Sequence, residues 1–120
     1  MAESHSLGKL GEEMAERLLI SKGYTIREKN WRSGRKEIDI IAENEKFIVF
    51  TEVKTRTTGY QVPPAEAVTT PKQRHLIFAA EAYARLHRIE KDIRFDIITL
   101  VADGKNFSAE HIEDAFYPTL

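Results

Sequence analysis

The stretch KEIDIIAENEKFIVFTEVK, residues 36–54, constrains the fold of this chain more than any other. Two runs of alternating residues flank a polar turn at Glu43-Asn44-Glu45-Lys46, the pattern of an antiparallel hairpin. With the turn centred between Asn44 and Glu45, Asp39 opposes Phe50 and Glu37 opposes Glu52. Side chains alternate with period two, so Glu37, Asp39, Glu52 and Lys54 share one face. Ile38, Ile40, Val49, Thr51 and Val53 take the other. Asp39 and Glu52 then stand as diagonal neighbours, with Cα atoms roughly 7–8 Å apart, near enough for both carboxylates to lean onto one hard cation. Lys54 stands beside Glu52. An acid followed by Glu-x-Lys on the neighbouring strand is a layout for phosphodiester hydrolysis: a divalent cation on the acids, a lysine next to the attacking water. The same charges would also suit a solvated sheet face. However, Ile41, Ile48 and Phe50 occupy this face nearer the turn, and like charges crowded at the end of an apolar face repel unless a counterion joins them.

The rest of the composition narrows the setting. A chain of 120 residues, 42% hydrophobic and 31% charged, reads as a single globular domain over residues 1–120 with a core of its own. It has no cysteine, which excludes disulfides, thiolate metal sites and a cysteine nucleophile. Its four histidines, His5, His75, His87 and His111, lack metal-ligand spacing and read as surface or capping residues. No apolar run approaches a membrane span, and the N-terminus carries acids where a signal peptide needs a basic and then an apolar segment; the expectation is a cytoplasmic protein without membrane association. A net charge of -1 argues against coating nucleic acid by bulk electrostatics. It is compatible with a local basic patch beside an acidic metal site.

In chain order, Leu7, Leu10, Met14 and Leu18 predict an amphipathic helix over about residues 7–22, stopped by Gly23. Gly8, Gly11 and Ala15 run beside that stripe and point to close approach of another element; spacing alone does not separate Glu12 from Glu13 and Glu16. Tyr24 to Trp31 reads as a first strand, ending at the turn Arg32-Ser33-Gly34. Arg32, Arg35 and Lys36 place three cations ahead of the acidic face, either to meet phosphates or only to solubilise a loop. Thr55 to Pro64 has loop composition, and Tyr60 in it is either a stacking residue or an ordinary exposed tyrosine. Thr70-Pro71-Lys72-Gln73 opens a second helix, with Thr70 as cap, Pro71 at the first position, Gln73 placed for a capping box, and an end near His87. Lys72, Gln73 and Arg74 in its first turn suit a phosphate, though capping alone accounts for Gln73. Ile93 to Val101 is an apolar run of strand length, buried on both faces. Asp103-Gly104 turns the chain into a last strand over Asn106 to Ile112.

The order helix, three strands, helix, strand, with Asp and Glu-x-Lys on the second and third strands, resembles the core of the PD-(D/E)XK nuclease superfamily. The resemblance narrows to the bacterial YraN-like family, which is similar to archaeal Holliday-junction resolvases. It is carried by Gly11-Glu12 and Ala15, Gly23-Tyr24, Asn30-Trp31-Arg32, Glu37 to Ala42, Val49 to Arg56, Ala67-Val68-Thr69, Lys72-Gln73 and Arg94 to Ile97, almost the whole chain. One departure stands out: the family usually has glycine where this chain has Lys36. The resemblance implies an α/β, restriction-endonuclease-like core, a mixed central sheet flanked by helices in the order αβββαβ plus a C-terminal strand. It implies Asp39 and Glu52 as ligands of Mg2+ or Mn2+ with the Val53 carbonyl, Glu12 as an auxiliary acid, and Lys54 as the residue that orients or activates water. Arg32, Arg35, Lys36, Arg56, Lys72, Gln73 and Arg74 are the matching candidates for contact with nucleic acid. The expected function is a metal-dependent endonuclease on structured or branched DNA, a homodimer by analogy with resolvases. The alternatives are a non-catalytic nucleic-acid-binding module working in repair, recombination or uptake, and a structural subunit whose charged face is an interface. Fold does not carry chemistry with it.

Overall fold

The computed structural model describes residues 7–57 and 68–116. Helix α1 spans Leu7–Ser21 and stops where Gly23 takes a left-handed φ of 94°. There the Gly23 N–H donates to the Ile20 carbonyl and the Tyr24 N–H to the Leu19 carbonyl, satisfying the last turn. The chain then forms strands β1 (Thr25–Ser33), β2 (Lys36–Glu43) and β3 (Phe47–Thr57), crosses through α2 (Thr70–Leu86), and returns as β4 (Asp92–Asp103) and β5 (Asn106–Phe116). The sheet order is β1-β2-β3-β4-β5. Strands β3 and β4 are parallel and the other neighbours antiparallel, as a crossover helix between β3 and β4 requires. The fold is therefore mixed α/β, in the element order expected. Arg94 to Leu100 of β4 are all buried, whereas Ile93 and Val101, the ends of the run expected inside, are exposed and half-buried.

Each helix covers one face. On the α1 side, Ala15 and Leu19 pack with Ile40, Ala42, Val49, Ile98 and Leu100. On the α2 side, Leu76, Ala80 and Tyr83 pack with Ile41, Ile48, Phe50, Phe95 and Ile97. Of the expected leucine line of α1 only Met14 and Leu18 pack against the core, and the fully buried stripe is the neighbouring one. Gly11, Ala15 and Leu19 face the sheet, while Leu7 and Leu10 are each 38% exposed. The small residues prevail because they let the helix backbone lie closer: a Cβ on Gly11 would overlap Thr55 Oγ1 and come within 3.4 Å of Leu100 Cδ1.

The central hairpin departs from its expected register. Asn44 folds its side chain back, so that Oδ1 accepts the N–H groups of Lys46 at 2.9 Å and Phe47 at 2.8 Å. This centres the turn one residue later and pairs Ile40 with Thr51 and Ile41 with Phe50. The slip is even, so side chains keep their expected faces through the paired segment. Ile38 does not: it joins the α2-side core. Strand β3 also continues through Thr57, where loop composition had predicted a loop from Thr55, because Thr55, Arg56 and Thr57 pair with Leu100, Val101 and Ala102. Tyr60 lies outside the described residues. The cap of α2 is Thr69, not Thr70; its hydroxyl accepts the Lys72 N–H at 3.4 Å. Strand β5 runs on to Phe116 and pairs with β4.

The Gly11 contact gives a test. In an isolated helix Gly→Ala stabilises by about 1 kcal/mol, but here the added methyl meets β3, and overpacking costs typically ~1–3 kcal/mol. Gly11→Ala is expected to lower the unfolding free energy in denaturant titration; a rise would show that the helix does not sit this close.

Candidate active site

Strands β2 and β3 are partners only from Glu43 and Ile48 to Ile40 and Thr51. Beyond that point β2 continues against β1 as far as Lys36, and β3 against β4 as far as Thr57. The two strands part, and the Val53 N–H finds its acceptor in Asp39 Oδ2 at 2.8 Å. Side-chain alternation breaks at the same place. Ile38 and Ile41 lie in one core and Ile40 in the other, which a regular period of two forbids. On the flanking strand β1, Asn30 adopts a left-handed φ of 52°, a conformation asparagine tolerates better than most residues, and its side-chain amide opposes the rise in proton affinity of the Glu12 carboxyl of α1.

The parting collects charge. Glu52 is only 4% exposed. Its Oε2 lies 3.3 Å from Lys54 Nζ and 3.7 Å from Lys72 Nζ, so the first turn of α2 reaches the site. Its Oε1 is buried and has no hydrogen-bond partner among the described residues; neither has Thr99 Oγ1, on the β4 residue paired with Lys54. Burial, and then the Glu52 charge, push the Asp39 carboxyl up to about 7 against the pull of the Val53 N–H. Burial also raises Glu12, with Glu37 and Glu52 adding and the Asn30 bond opposing. Glu12 and Asp39 line one cleft of about 470 Å³ with Asn30 and Lys29.

Among the described residues no three His, Asp or Glu side chains converge as a ready metal cage. The donor set is the Asp39 and Glu52 pair. A half-buried carboxylate whose proton affinity is raised, beside a buried one with an unpartnered oxygen, fits a hard divalent cation.

The remaining predicted residues are distributed unevenly. Glu12, Asp39, Glu52, Lys54 and Lys72 come together; Glu13 and Glu16 share the Glu12 cleft, and Glu16 differs in pairing with Lys29 at 3.3 Å. Gln73 is committed to the helix start, donating to the Val68 carbonyl at 3.0 Å. Arg56 Nη1 donates to the Thr55 carbonyl at 3.5 Å. Arg32 is paired with Glu37 at 3.4 Å, Arg35 is exposed in the β1–β2 turn, and Lys36 lies over the Phe78 ring. Arg74 is exposed on α2.

One cluster escaped sequence reasoning. His111, expected at the surface or in a cap, has its Nε2 2.7 Å from Asp96 Oδ2 and its Nδ1 2.8 Å from Lys22 Nζ. Arg94 donates twice to Asp96, at 2.9 and 2.8 Å, and the Asp114 N–H once at 3.0 Å. Burial alone would raise the Asp96 carboxyl, but the bonds from His111 and Arg94 hold it below its ordinary value. The signal was present as two charges inside the run Ile93 to Val101. His87, by contrast, does cap α2.

Two outcomes follow from these environments. Asp39 binds its proton more tightly folded than unfolded, where its value is 3.8. The associated stability is therefore complete below about pH 4 and lost as the pH rises through about 7. Asp39→Asn, which keeps an acceptor for Val53, should exceed the wild type by on the order of 2 kcal/mol at pH 8 and match it near pH 4 in metal-free denaturant titrations; a constant difference would remove the titration from Asp39. Asp96→Asn leaves the buried Arg94 with only the exposed Glu113, at 3.9 Å, and should cost about 3 kcal/mol, readable as a lowered Tm; a loss below about 1 kcal/mol would make the pair a surface-like one.

Comparison with known proteins adds a family. Residues 11–100 match the model of an uncharacterised protein family, UPF0102. A UPF0102 protein of Bacteroides thetaiotaomicron is 47% identical over 120 residues, covering 100% of this chain and 99% of the relative. One from Phocaeicola vulgatus is 48% identical with the same coverage, and one from Flavobacterium psychrophilum is 43% identical over 117 residues, 98% of each chain.

Proposed function

The chain belongs to the uncharacterised protein family UPF0102, and from that premise and the carboxylate pair we propose that it is a divalent-cation-dependent endonuclease of the PD-(D/E)XK kind acting on structured or branched DNA. The observation that carries the reading is Glu52 Oε1, buried and without a hydrogen-bond partner among the described residues, beside an Asp39 whose proton affinity is raised. Burying a carboxylate oxygen unpaired is costly, and a cation there removes the cost.

Asp39, Glu52 and the Val53 carbonyl would hold Mg2+ or Mn2+, with Glu12 an auxiliary acid at the cleft. Such a cation neutralises the carboxylate pair and polarises a phosphate oxygen. Lys54 Nζ, anchored on Glu52 Oε2, orients water beside the scissile phosphate and balances charge in the transition state. The water oxygen attacks phosphorus, the P–O ester bond breaks, and the leaving oxygen takes up a proton. Lys72, on the same carboxylate, supports the phosphate from the first turn of α2. Paired cuts across a branch would require two copies of the chain.

A second reading, a nucleic-acid-binding module that cleaves nothing, has one observation in its favour. Lys54 and Lys72 already lie against Glu52 and balance that charge without a metal. Cleavage assays on linear, single-stranded, flapped and four-way-junction DNA with Mg2+ or Mn2+ separate the two. Lys54→Ala should lose about 10²-fold or more in rate while retaining the Mg2+-dependent rise in Tm; Glu52→Ala should lose both. Equal cleavage by wild type and Lys54→Ala would mark a contaminating nuclease, and binding of branched DNA without cleavage would establish the module.

A further inference from the structure

The outward face of α2 takes no part in the carboxylate site, yet it presents Phe78 with 61% of its surface exposed. The ring is not left to water alone: Lys36 Nζ, from the start of β2, stands 4.8 Å from its centroid. Arg74 lies one turn before Phe78 on the same helix face and Arg85 two turns after, both exposed. Arg35, next to Lys36, is exposed as well. Glu81, also exposed, lies three residues after Phe78 on that face, so the ring carries Lys36 over it and a helix face on which Arg74 and Arg85 outnumber the one acid.

The charge selects the occupant. A second copy meeting this face across a two-fold axis would bring two sets of Lys36, Arg74 and Arg85 together against a single Glu81 from each copy. A nucleic acid strand brings phosphates for the cations and a base for the ring. A base inside a duplex is already stacked, whereas an unpaired base has a free face for an aromatic side chain. We propose that Phe78 is a stacking platform for an unpaired nucleotide, with Lys36 and Arg74 on its flanking phosphates, so that the preferred ligand carries a single-stranded segment. The position relative to the cut, though not the binding itself, rests on the nuclease reading. Lys72 touches Glu52, and Phe78 lies six residues further along α2, about 9 Å along the axis. Phe78 also lies on another side of the helix from Lys72, so a strand reaching both spans at least about two to three stacked nucleotides at ~3.4 Å each.

The test is equilibrium binding by the full chain in EDTA, read by fluorescence anisotropy on a flapped duplex and on a blunt duplex of equal length. A 2-aminopurine in the flap reports stacking. Wild type should prefer the flapped DNA and quench the 2-aminopurine. Phe78→Ala should weaken flap binding by about 5- to 100-fold, leave blunt-duplex binding unchanged and abolish the quench; Phe78→Trp should restore both. Phe78 is exposed, so these variants remain folded. Flap affinity unchanged in Phe78→Ala, or an equal loss on both DNAs, overturns the inference, and if Mg2+-dependent cleavage persists the nuclease reading survives it. Sedimentation showing Phe78→Ala turning a dimer into a monomer with DNA binding intact assigns the face to a second copy and also overturns it. Wild type that binds neither DNA removes both readings together.

Discussion

The hydrogen bond from the Val53 N–H to the Asp39 carboxylate is the contact on which the candidate site depends. Strand β3 is bound along its length to β4, and β2 is bound to β1 to its first residue. Sheet twist makes such pairs diverge wherever nothing ties them together. At the divergence a backbone donor would be stranded, and the Asp39 side chain takes the place of the missing strand. Asp39 is thereby held in the gap against Glu52. The close approach of α1 through Gly11 and the first turn of α2 then bring Glu12 and Lys72 to the same place.

Two aspartates on one sheet, Asp96 buried and Asp39 half-buried, show opposite responses. Asp96 is surrounded by donors, and its carboxyl is held below its ordinary value. Asp39 has one backbone donor and two acidic neighbours, and its carboxyl is raised. A satisfied buried charge reads as structure, and an unsatisfied one in a cleft reads as a site. The two layers of core and the Asp96 network supply the stability against which the Asp39 and Glu52 repulsion is maintained.

Much of this was legible because its signals were local. The hairpin, the helix stop at Gly23 and the buried centre of β4 follow from alternation and turn chemistry, whereas Asp39 reaches Glu52 and Lys54 where alternation breaks and the strands part. What escaped depended on contacts between distant residues. The register moved because the Asn44 side chain rebuilt the turn, and strand β3 outran its loop-like composition because β4 was there to pair with it. On α1 the small-residue line signalled the close approach that Gly11 and Ala15 make, while of the expected leucine line Met14 and Leu18 pack on the core and Leu7 and Leu10 stay exposed. Asn30 and Thr99 became part of the site only through a left-handed turn and a neighbouring strand. His111 was invisible because its partners Asp96 and Lys22 lie far away in the chain.

The central claim is that Asp39 and Glu52 form a carboxylate pair built around a cation. It is tested most directly by following both side-chain carboxyl carbons through a pH titration by NMR, first in EDTA and then with saturating Mg2+. Without metal, Asp39 should titrate at about 7, and with Mg2+ its midpoint should fall below its ordinary value. A midpoint near 4 in EDTA that Mg2+ leaves in place would contradict the account.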